Sequence, residues 1–202
     1  MNAPFFSLDG IDGVGKSTQC RLLAEALRGA GWDVVPCVDP GGTQIGHELR
    51  EILLGSKHDI ALSCEALLFM ASRAQLVSEI IRPALAAGKA VVCDRYLLAN
   101  VVYQGHAGGL DVPVLWGVGA FATGGLEPDM TFVLDLPLEI ARSRRMGRDR
   151  METRGDDYFA RVRQGFLTEA RRQPERVRVI DATGSVEEIR AEISHAVHQW
   201  LV

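Results

Sequence analysis

A glycine-rich loop at residues 10–17 constrains the fold of this chain more than any other segment. Its sequence GIDGVGKS matches the pattern G-x-x-x-x-G-K-[ST]. An apolar run that predicts a strand, Phe5–Asp9, precedes it, and a stretch with helical spacing, residues 17–30, follows it. Glycines let backbone N–H groups point inward without side chains in the way, and the helix adds its positive N-terminal end. This order of strand, loop and helix predicts a phosphate-binding cradle.

The loop pattern assigns roles to individual side chains. Lys16 would reach the β- and γ-phosphates of a nucleoside triphosphate, and the Ser17 hydroxyl would bind Mg²⁺. The predicted nucleotide-binding residues are Gly10, Gly13, Gly15, Lys16, Ser17 and Thr18. We predict a second metal ligand at Asp94, because the apolar run 91–93 places this carboxylate at the end of a strand, as in the motif that holds Mg²⁺.

Strands alternate with helices along much of the chain. Predicted strands cover residues 5–9, 33–38, 89–94, 131–136 and 177–181, and predicted helices cover residues 17–30, 44–54, 63–87 and 186–202. This alternation favours a three-layer α/β fold in which a five-stranded parallel sheet has helices on both faces. Phosphates bind at the carboxyl ends of the strands in such folds. No repeat or linker is visible, so we predict a single domain over residues 1–202.

Composition argues against several classes of protein. Hydrophobic residues make up 47% of the chain and charged residues 24%, the proportions of a globular domain. Apolar runs are much shorter than the roughly 18 to 20 residues that a membrane span needs, and no basic-then-apolar leader is visible. We therefore predict a cytoplasmic protein without a membrane partner. A net charge of −4 argues against a nucleic-acid partner, although six arginines cluster between Arg142 and Arg154.

Seven blocks, in order along nearly the whole chain, resemble the bacterial thymidylate kinases. They read LDGIDGVGKSTQ, DPGGTQIGHELREILL, LLFMASRAQLV, CDRY, NVVYQG, PDMTFVLDL and an arginine-rich stretch ending in DRME. The resemblance implies the fold of P-loop NTPases. It also implies phosphorylation of dTMP to dTDP, for dTTP biosynthesis, with ATP as donor and Mg²⁺ as cofactor, by a cytoplasmic homodimer.

The resemblance assigns four residues to the acceptor phosphate and base. Arg95, in the family's DR[YFH] element, would clamp the acceptor phosphate, for which a planar guanidinium suits bidentate binding. Phe69 and Arg73 lie four residues apart and share a helix face, where they would stack on thymine and hydrogen-bond its edge. Asn100 would contact the same base edge. From its residue type alone, Phe69 is instead expected in the core.

Three further residues are assigned to the acceptor by the resemblance. Tyr103 and Gln104 match the family's YQG element, whose tyrosine crowds out a ribose 2′-hydroxyl and so favours deoxynucleotides. Asp12 matches a carboxylate that faces the acceptor sugar or the metal. A capping residue in a turn is the alternative role for Asp12.

The arginine cluster resembles the family's lid, approximately residues 142–156. Because positions 11–14 of the phosphate loop contain no basic residue, charge on the transferring phosphoryl group must be neutralised from elsewhere. We predict this role for Arg148 and Arg150, while Arg144 would stack on adenine. A solvated helix face is the alternative for any one of these arginines. The predicted catalytic residues are Lys16, Arg95, Arg148, Arg150 and Asp12.

One departure from the family pattern concerns the acceptor. The family usually has Arg-Glu before Pro-Gly-Gly, where this chain has Val38 and Asp39. The missing arginine would have contacted the acceptor phosphate, a charge-assisted bond worth about 1.5 to 3 kcal/mol. Arg50 and Arg73 are the candidates to compensate. Two alternatives therefore stay open: a kinase for another deoxynucleoside monophosphate, and a nucleotide-binding paralogue with weak catalysis.

Overall fold

Five parallel strands form the central sheet of the protein. A computed structural model describes residues 3–144 and 154–201. The sheet has the order β2-β3-β1-β4-β5. Its strands are β1 (Phe5–Asp9), β2 (Val34–Val38), β3 (Ala90–Asp94), β4 (Met130–Asp135) and β5 (Val177–Asp181). These strands confirm the prediction of a five-stranded parallel sheet, and their bounds differ from the predicted ones by no more than a residue or so at either end.

Helices cover both faces of the sheet. They are α1 (Lys16–Gly29), α2 (Gln44–Gly55), α3 (Leu62–Leu76), α4 (Arg82–Ala86), α5 (Leu97–Asn100), α6 (Val112–Thr123), α7 (Leu138–Arg144), α8 (Asp156–Arg172) and α9 (Val186–Leu201). Two π-helical segments, Val77–Ile81 and Val101–Ala107, continue α3 into α4 and extend α5. Within the described residues, no helix combines the length and the apolarity that crossing a membrane would require.

The alternation of side chains along the strands builds one core on each face. Phe5 and Val91 point to one side, where they pack with Met70 of α3, whereas Phe6 and Val92 point to the other. All of these side chains are buried, and burying a phenylalanine stabilises a fold by about 1.5 to 3 kcal/mol. Burial on both faces explains why the central strands are continuous apolar runs in the sequence.

The strand order places the phosphate loop beside β3. β1 lies between β3 and β4. After β1 the chain forms β2 and β3 on one side of this strand, and only then β4 and β5 on the other side. Such a point of reversal leaves a crevice at the carboxyl ends of the strands. Leu8 is in register with Asp94, so the loop that follows Asp9 begins next to the end of β3.

Candidate active site

The backbone of the phosphate loop has positive φ at three glycines, Gly10, Gly13 and Gly15. Gly10 has φ 135°, and a Cβ there would lie 2.6 Å from the carbonyl oxygen of Leu134. Gly15 is left-handed, with φ 95°, and directly precedes α1. Within the described chain no side chain caps this helix, so its first N–H groups stay free for an anion. The loop is thus shaped to hold phosphate.

Lys16 is held at the base of the loop. Its side chain is 7% exposed, and Nζ donates to the carbonyl oxygen of Ile11 at 2.8 Å and lies 3.6 Å from Oδ1 of Asp12. Burial, followed by the positive charge of Arg95, lowers the pKa of Lys16, which the nearby carboxylates partly oppose. The ammonium group is therefore positioned by a carbonyl and a carboxylate before any phosphate is bound.

The two predicted metal ligands lie together. The Ser17 hydroxyl donates to Oδ2 of Asp94 at 2.5 Å, which joins the start of α1 to the end of β3. A hydroxyl and a carboxylate are hard oxygen ligands, and Mg²⁺ in phosphoryl-transfer sites is held by one or two protein groups plus water and substrate phosphates. This donor pair therefore fits Mg²⁺. Among the described residues, no cluster of three or more His, Cys, Asp or Glu side chains offers a different metal site.

A cavity of about 470 Å³ opens above the loop. It brings together predicted residues from both the donor and the acceptor sets: Asp12, Gly13, Gly15, Lys16, Ser17, Thr18, Phe69, Arg73, Asp94, Arg95, Asn100, Tyr103 and Gln104. Phe69 is half-buried and forms part of the cavity wall, so the alternative of a core position does not describe it. Gly10, the first residue of the loop, is buried and contributes through its backbone conformation.

Arg95 connects the phosphate loop to the acceptor side of the cavity. Its guanidinium donates to the carbonyl oxygen of Gly10 at 2.9 Å and to Oδ1 of Asp12 at 2.6 Å. The same group lies 5.2 Å from the centre of the Tyr103 ring. Arg95 has φ 69°, the only positive φ of a non-glycine residue in the described chain. Such strain costs about 1 to 3 kcal/mol and is characteristic of functional sites.

A buried polar network lies on the acceptor side. Arg73 is 1% exposed and donates from Nε to Oδ2 of Asp39 at 2.6 Å and from Nη1 to Oδ1 of Asn100 at 3.1 Å. The Asn100 amide in turn donates to Oε1 of Gln104 at 2.7 Å. Burial raises the pKa of Asp39, although the guanidinium of Arg73 opposes this shift. One cationic group and two amides thus line the cavity beside Phe69.

The position of the missing family arginine lies on the cavity wall. Val38 and Arg50 both line the cavity, and Arg50 donates to the carbonyl oxygen of Pro40 at 2.7 Å. Arg73 is already committed to Asp39 and Asn100. In the described structure, the guanidinium of Arg50 is thus held by a single carbonyl oxygen. Arg50 is therefore the better candidate to compensate for the arginine that Val38 replaces.

Sequence reasoning missed two buried carboxylates of this site. Asp39 pairs with Arg73, and Glu65 accepts hydrogen bonds from Gln104 and Arg154. Glu65 precedes Phe69 by one helical turn, and this spacing could have flagged it as a neighbour of the base-contacting face. A third carboxylate, Asp9, is fully buried at the end of β1, and burial raises its pKa to about 7.

The described residues include only the two ends of the predicted lid. Arg148 and Arg150 lie outside the described residues, as does the side chain of Arg144, so their predicted roles stay predictions. At the two ends of the segment, Arg142 and Asp156 pair at 2.6 Å. Both side chains are exposed, so this pair contributes little to stability.

Comparison with known proteins agrees with this geometry. The family model for thymidylate kinase matches residues 8–193. A thymidylate kinase of Rhodopirellula baltica is 50% identical over 93% of this chain and 77% of its own length, and one of Symbiobacterium thermophilum is 46% identical over 98% and 94%. The crystal structure of thymidylate kinase from Ehrlichia chaffeensis is similar with a TM-score of 0.80 and 28% identity, covering 98% of this chain and 99% of that one. The chain belongs to the thymidylate kinase family.

Proposed function

We propose that this protein transfers the γ-phosphoryl group of ATP to dTMP, giving ADP and dTDP. The observation that carries the proposal is the position of Arg95, which contacts the phosphate loop through Gly10 and Asp12 and lies against Tyr103 on the acceptor side. Donor and acceptor groups therefore share one cavity. Family membership supports the same reaction, since the related proteins are thymidylate kinases.

The reaction needs alignment and charge neutralisation more than proton transfer. An oxygen of the dTMP phosphate, already anionic near pH 7, forms a bond to the γ-phosphorus while the bond to the β–γ bridging oxygen breaks and ADP leaves. Lys16 neutralises the β- and γ-phosphates, and Arg95 holds the acceptor phosphate in line. Ser17 and Asp94 would hold Mg²⁺, whose contribution is to neutralise charge on the donor phosphates. Arg148 and Arg150 would supply the remaining positive charge, and Arg144 would stack on adenine.

The acceptor side suits a pyrimidine deoxynucleotide. Phe69 offers a flat apolar face for the base, and Arg73 and Asn100 offer hydrogen bonds at its edge. The Tyr103 ring lies beside Arg95 in the cavity wall, and the family resemblance assigns it to the exclusion of a ribose 2′-hydroxyl. Val38 is the single observation that favours the second candidate, a kinase for another deoxynucleoside monophosphate, because it removes one contact to the acceptor phosphate.

Product analysis tests the reaction directly. The protein is incubated with ATP, dTMP and Mg²⁺, and the nucleotides are separated by anion exchange. We expect dTDP and ADP in equal amounts. ADP without dTDP would mean hydrolysis of ATP. The absence of both products with intact ATP binding would contradict the proposal and leave its two alternatives, a kinase for another monophosphate and a nucleotide-binding paralogue.

Arg50 is predicted to take over part of the task of the missing arginine. Arg50→Ala should raise the KM for dTMP about 10-fold, the lower end for loss of a charge-assisted bond, because Arg95 shares the phosphate. The KM for ATP should stay within about twofold. Arg21→Ala is the control, since Arg21 pairs with Glu25 on the exposed face of α1. An unchanged KM for dTMP in steady-state assays would remove Arg50 from the acceptor site.

An exposed apolar patch supports the homodimer that the family implies. Leu67 on α3 and Val114 and Phe121 on α6 are 57%, 60% and 89% exposed, and these two helices pack side by side. Apolar surface of this kind is covered when a second subunit binds. A cytoplasmic location and the lack of nucleic-acid and membrane partners stay predictions.

A further inference from the structure

A chain of hydrogen bonds leads from the acceptor cavity to a carboxylate behind it. Arg73 donates to Oδ1 of Asn100 at 3.1 Å, Asn100 donates to Oε1 of Gln104 at 2.7 Å, and Gln104 donates to Oε1 of Glu65 at 2.9 Å. The other oxygen of Glu65 accepts from Nη2 of Arg154 at 2.6 Å. The first three residues line the cavity, whereas Glu65 stands behind Gln104.

The two ends of this chain fix the orientation of the amides between them. A guanidinium only donates hydrogen bonds, and an ionised carboxylate only accepts them. Gln104 must therefore turn its NH₂ group toward Glu65, which leaves its oxygen for the NH₂ group of Asn100 and leaves the Asn100 oxygen for Arg73. Reversing either amide would place a donor opposite a donor on one side and an acceptor opposite an acceptor on the other. Only one orientation is therefore stable.

That orientation determines what the cavity presents to a base. The hydrogen bonds that Asn100 makes to Arg73 and Gln104 fix the directions of its second N–H group and of the other lone pair on its oxygen. Thymine offers a carbonyl oxygen at C4, whereas cytosine offers an amino group there. A fixed donor and acceptor pattern on the wall therefore distinguishes these two pyrimidines, and a reversible pattern would not.

Arg154 balances the charge at the end of the chain. Glu65 is 0% exposed, and a buried carboxylate is costly unless it is paired and hydrogen-bonded. Arg154 also donates from Nη1 to the Tyr158 hydroxyl at 2.9 Å and lies 4.9 Å from the centre of that ring. The Tyr158 hydroxyl in turn donates to the carbonyl oxygen of Tyr103 at 2.8 Å, so the same cluster braces the segment that carries Gln104.

We propose that Glu65 is a positioning residue for the acceptor base. It sets the hydrogen-bond polarity of Gln104 and Asn100, and Arg154 holds its carboxylate in that place. The inference rests on the proposed function in one respect, because it requires a pyrimidine monophosphate in the cavity.

Glu65→Gln tests the role of the carboxylate with almost no change of shape. The new amide has one accepting oxygen where the carboxylate has two, so Gln104 and Arg154 compete for it. One donor in the chain then faces another donor, and no single orientation of the amides satisfies both guanidinium groups. We expect calorimetry to show dTMP binding weakened about 10-fold and the preference for dTMP over dCMP reduced about 10-fold, as for the loss of one charge-assisted contact. The KM for ATP should stay within about twofold. Arg154→Ala should shift the same preference. Arg154→Lys should restore part of it, because an ammonium group can pair with Glu65 but cannot also reproduce the contacts with Tyr158.

Arg161→Ala is the matched control. Arg161 also lies near the Tyr158 ring, at 5.9 Å, but it donates to the carbonyl oxygen of Ala107 and not to Glu65. We expect the Arg161→Ala variant to prefer dTMP over dCMP as strongly as the wild type does. If Glu65→Gln does not fold, the two Arg154 variants answer the question.

Two results would overturn the inference. One is an unchanged preference for dTMP over dCMP in the Glu65 and Arg154 variants, and the other is a wild-type protein that binds both monophosphates equally. Failure of the proposed function gives a different result. If the wild-type protein binds dTMP more tightly than dCMP but forms no dTDP, the proposed reaction is refuted, whereas the positioning role of Glu65 is not.

Discussion

Lys16→Met is expected to lower the turnover of phosphoryl transfer about 100- to 1,000-fold, the loss typical of removing one group that stabilises charge in a transition state. Lys16 is buried at the base of the phosphate loop, with Nζ 2.8 Å from the carbonyl oxygen of Ile11 and 3.6 Å from Asp12. Methionine keeps the length of the side chain and removes the charge. The fold should persist, because Asp12 still pairs with Arg95.

Steady-state kinetics with dTMP and ATP would measure this effect as a change in kcat, with ATP binding measured separately. Lys89→Met is the matched control, since Lys89 pairs with Asp33 on the surface at 2.9 Å. Its kcat should equal that of the wild type. Turnover of Lys16→Met within about tenfold of the wild type would show that the loop lysine does not act on the transferring group.

Arg95→Lys is expected to lower kcat/KM for dTMP about 100-fold or more. The guanidinium makes two bonds to the phosphate loop and lies over the Tyr103 ring, and an ammonium group cannot reproduce this planar arrangement. The loss of two hydrogen bonds of the guanidinium, at about 1.5 kcal/mol each, corresponds to the expected decrease of about 100-fold in kcat/KM. The left-handed backbone at position 95 costs lysine as much as arginine, so the comparison isolates the head group.

Arg82→Lys serves as the control for this substitution. Arg82 also makes two bonds with one guanidinium, to the carbonyl oxygens of Thr123 and Gly124 at the end of α6. This substitution should leave kcat/KM unchanged. The role of Arg95 would be contradicted if Arg95→Lys and Arg82→Lys had equal activity with dTMP.

Local signals in the sequence predicted the sheet and the backbone of the phosphate loop well. The phosphate loop is a contiguous run of eight residues whose backbone geometry depends on its own glycines, and the buried strands are short continuous apolar runs. Helices α5 to α8 were not predicted. In α6, Val114 and Phe121 are exposed while Leu115 is buried, so apolar residues occur around the helix and no helical period stands out.

Long-range pairing explains what the sequence could not show on the acceptor side. Glu65 meets Gln104 and Arg154 from 39 and 89 residues away, and Asp39 meets Arg73 from 34 residues away. Such pairs exist only once the fold has formed, so no local pattern marks them. The positions of Phe69 and Tyr103 in the site were predictable from family resemblance alone, because an aromatic residue in a helix is otherwise expected in the core.

The most direct test of the central claim, that dTMP is the acceptor, is the release of ADP from ATP across a panel of monophosphates: dTMP, dUMP, dCMP, dAMP and dGMP. We predict the highest kcat/KM for dTMP. The margin over dUMP should be about tenfold, because these bases differ by one methyl group, and wider over dCMP and the purines. A higher kcat/KM for any other monophosphate, or no ADP release from a protein that binds ATP, would contradict this account.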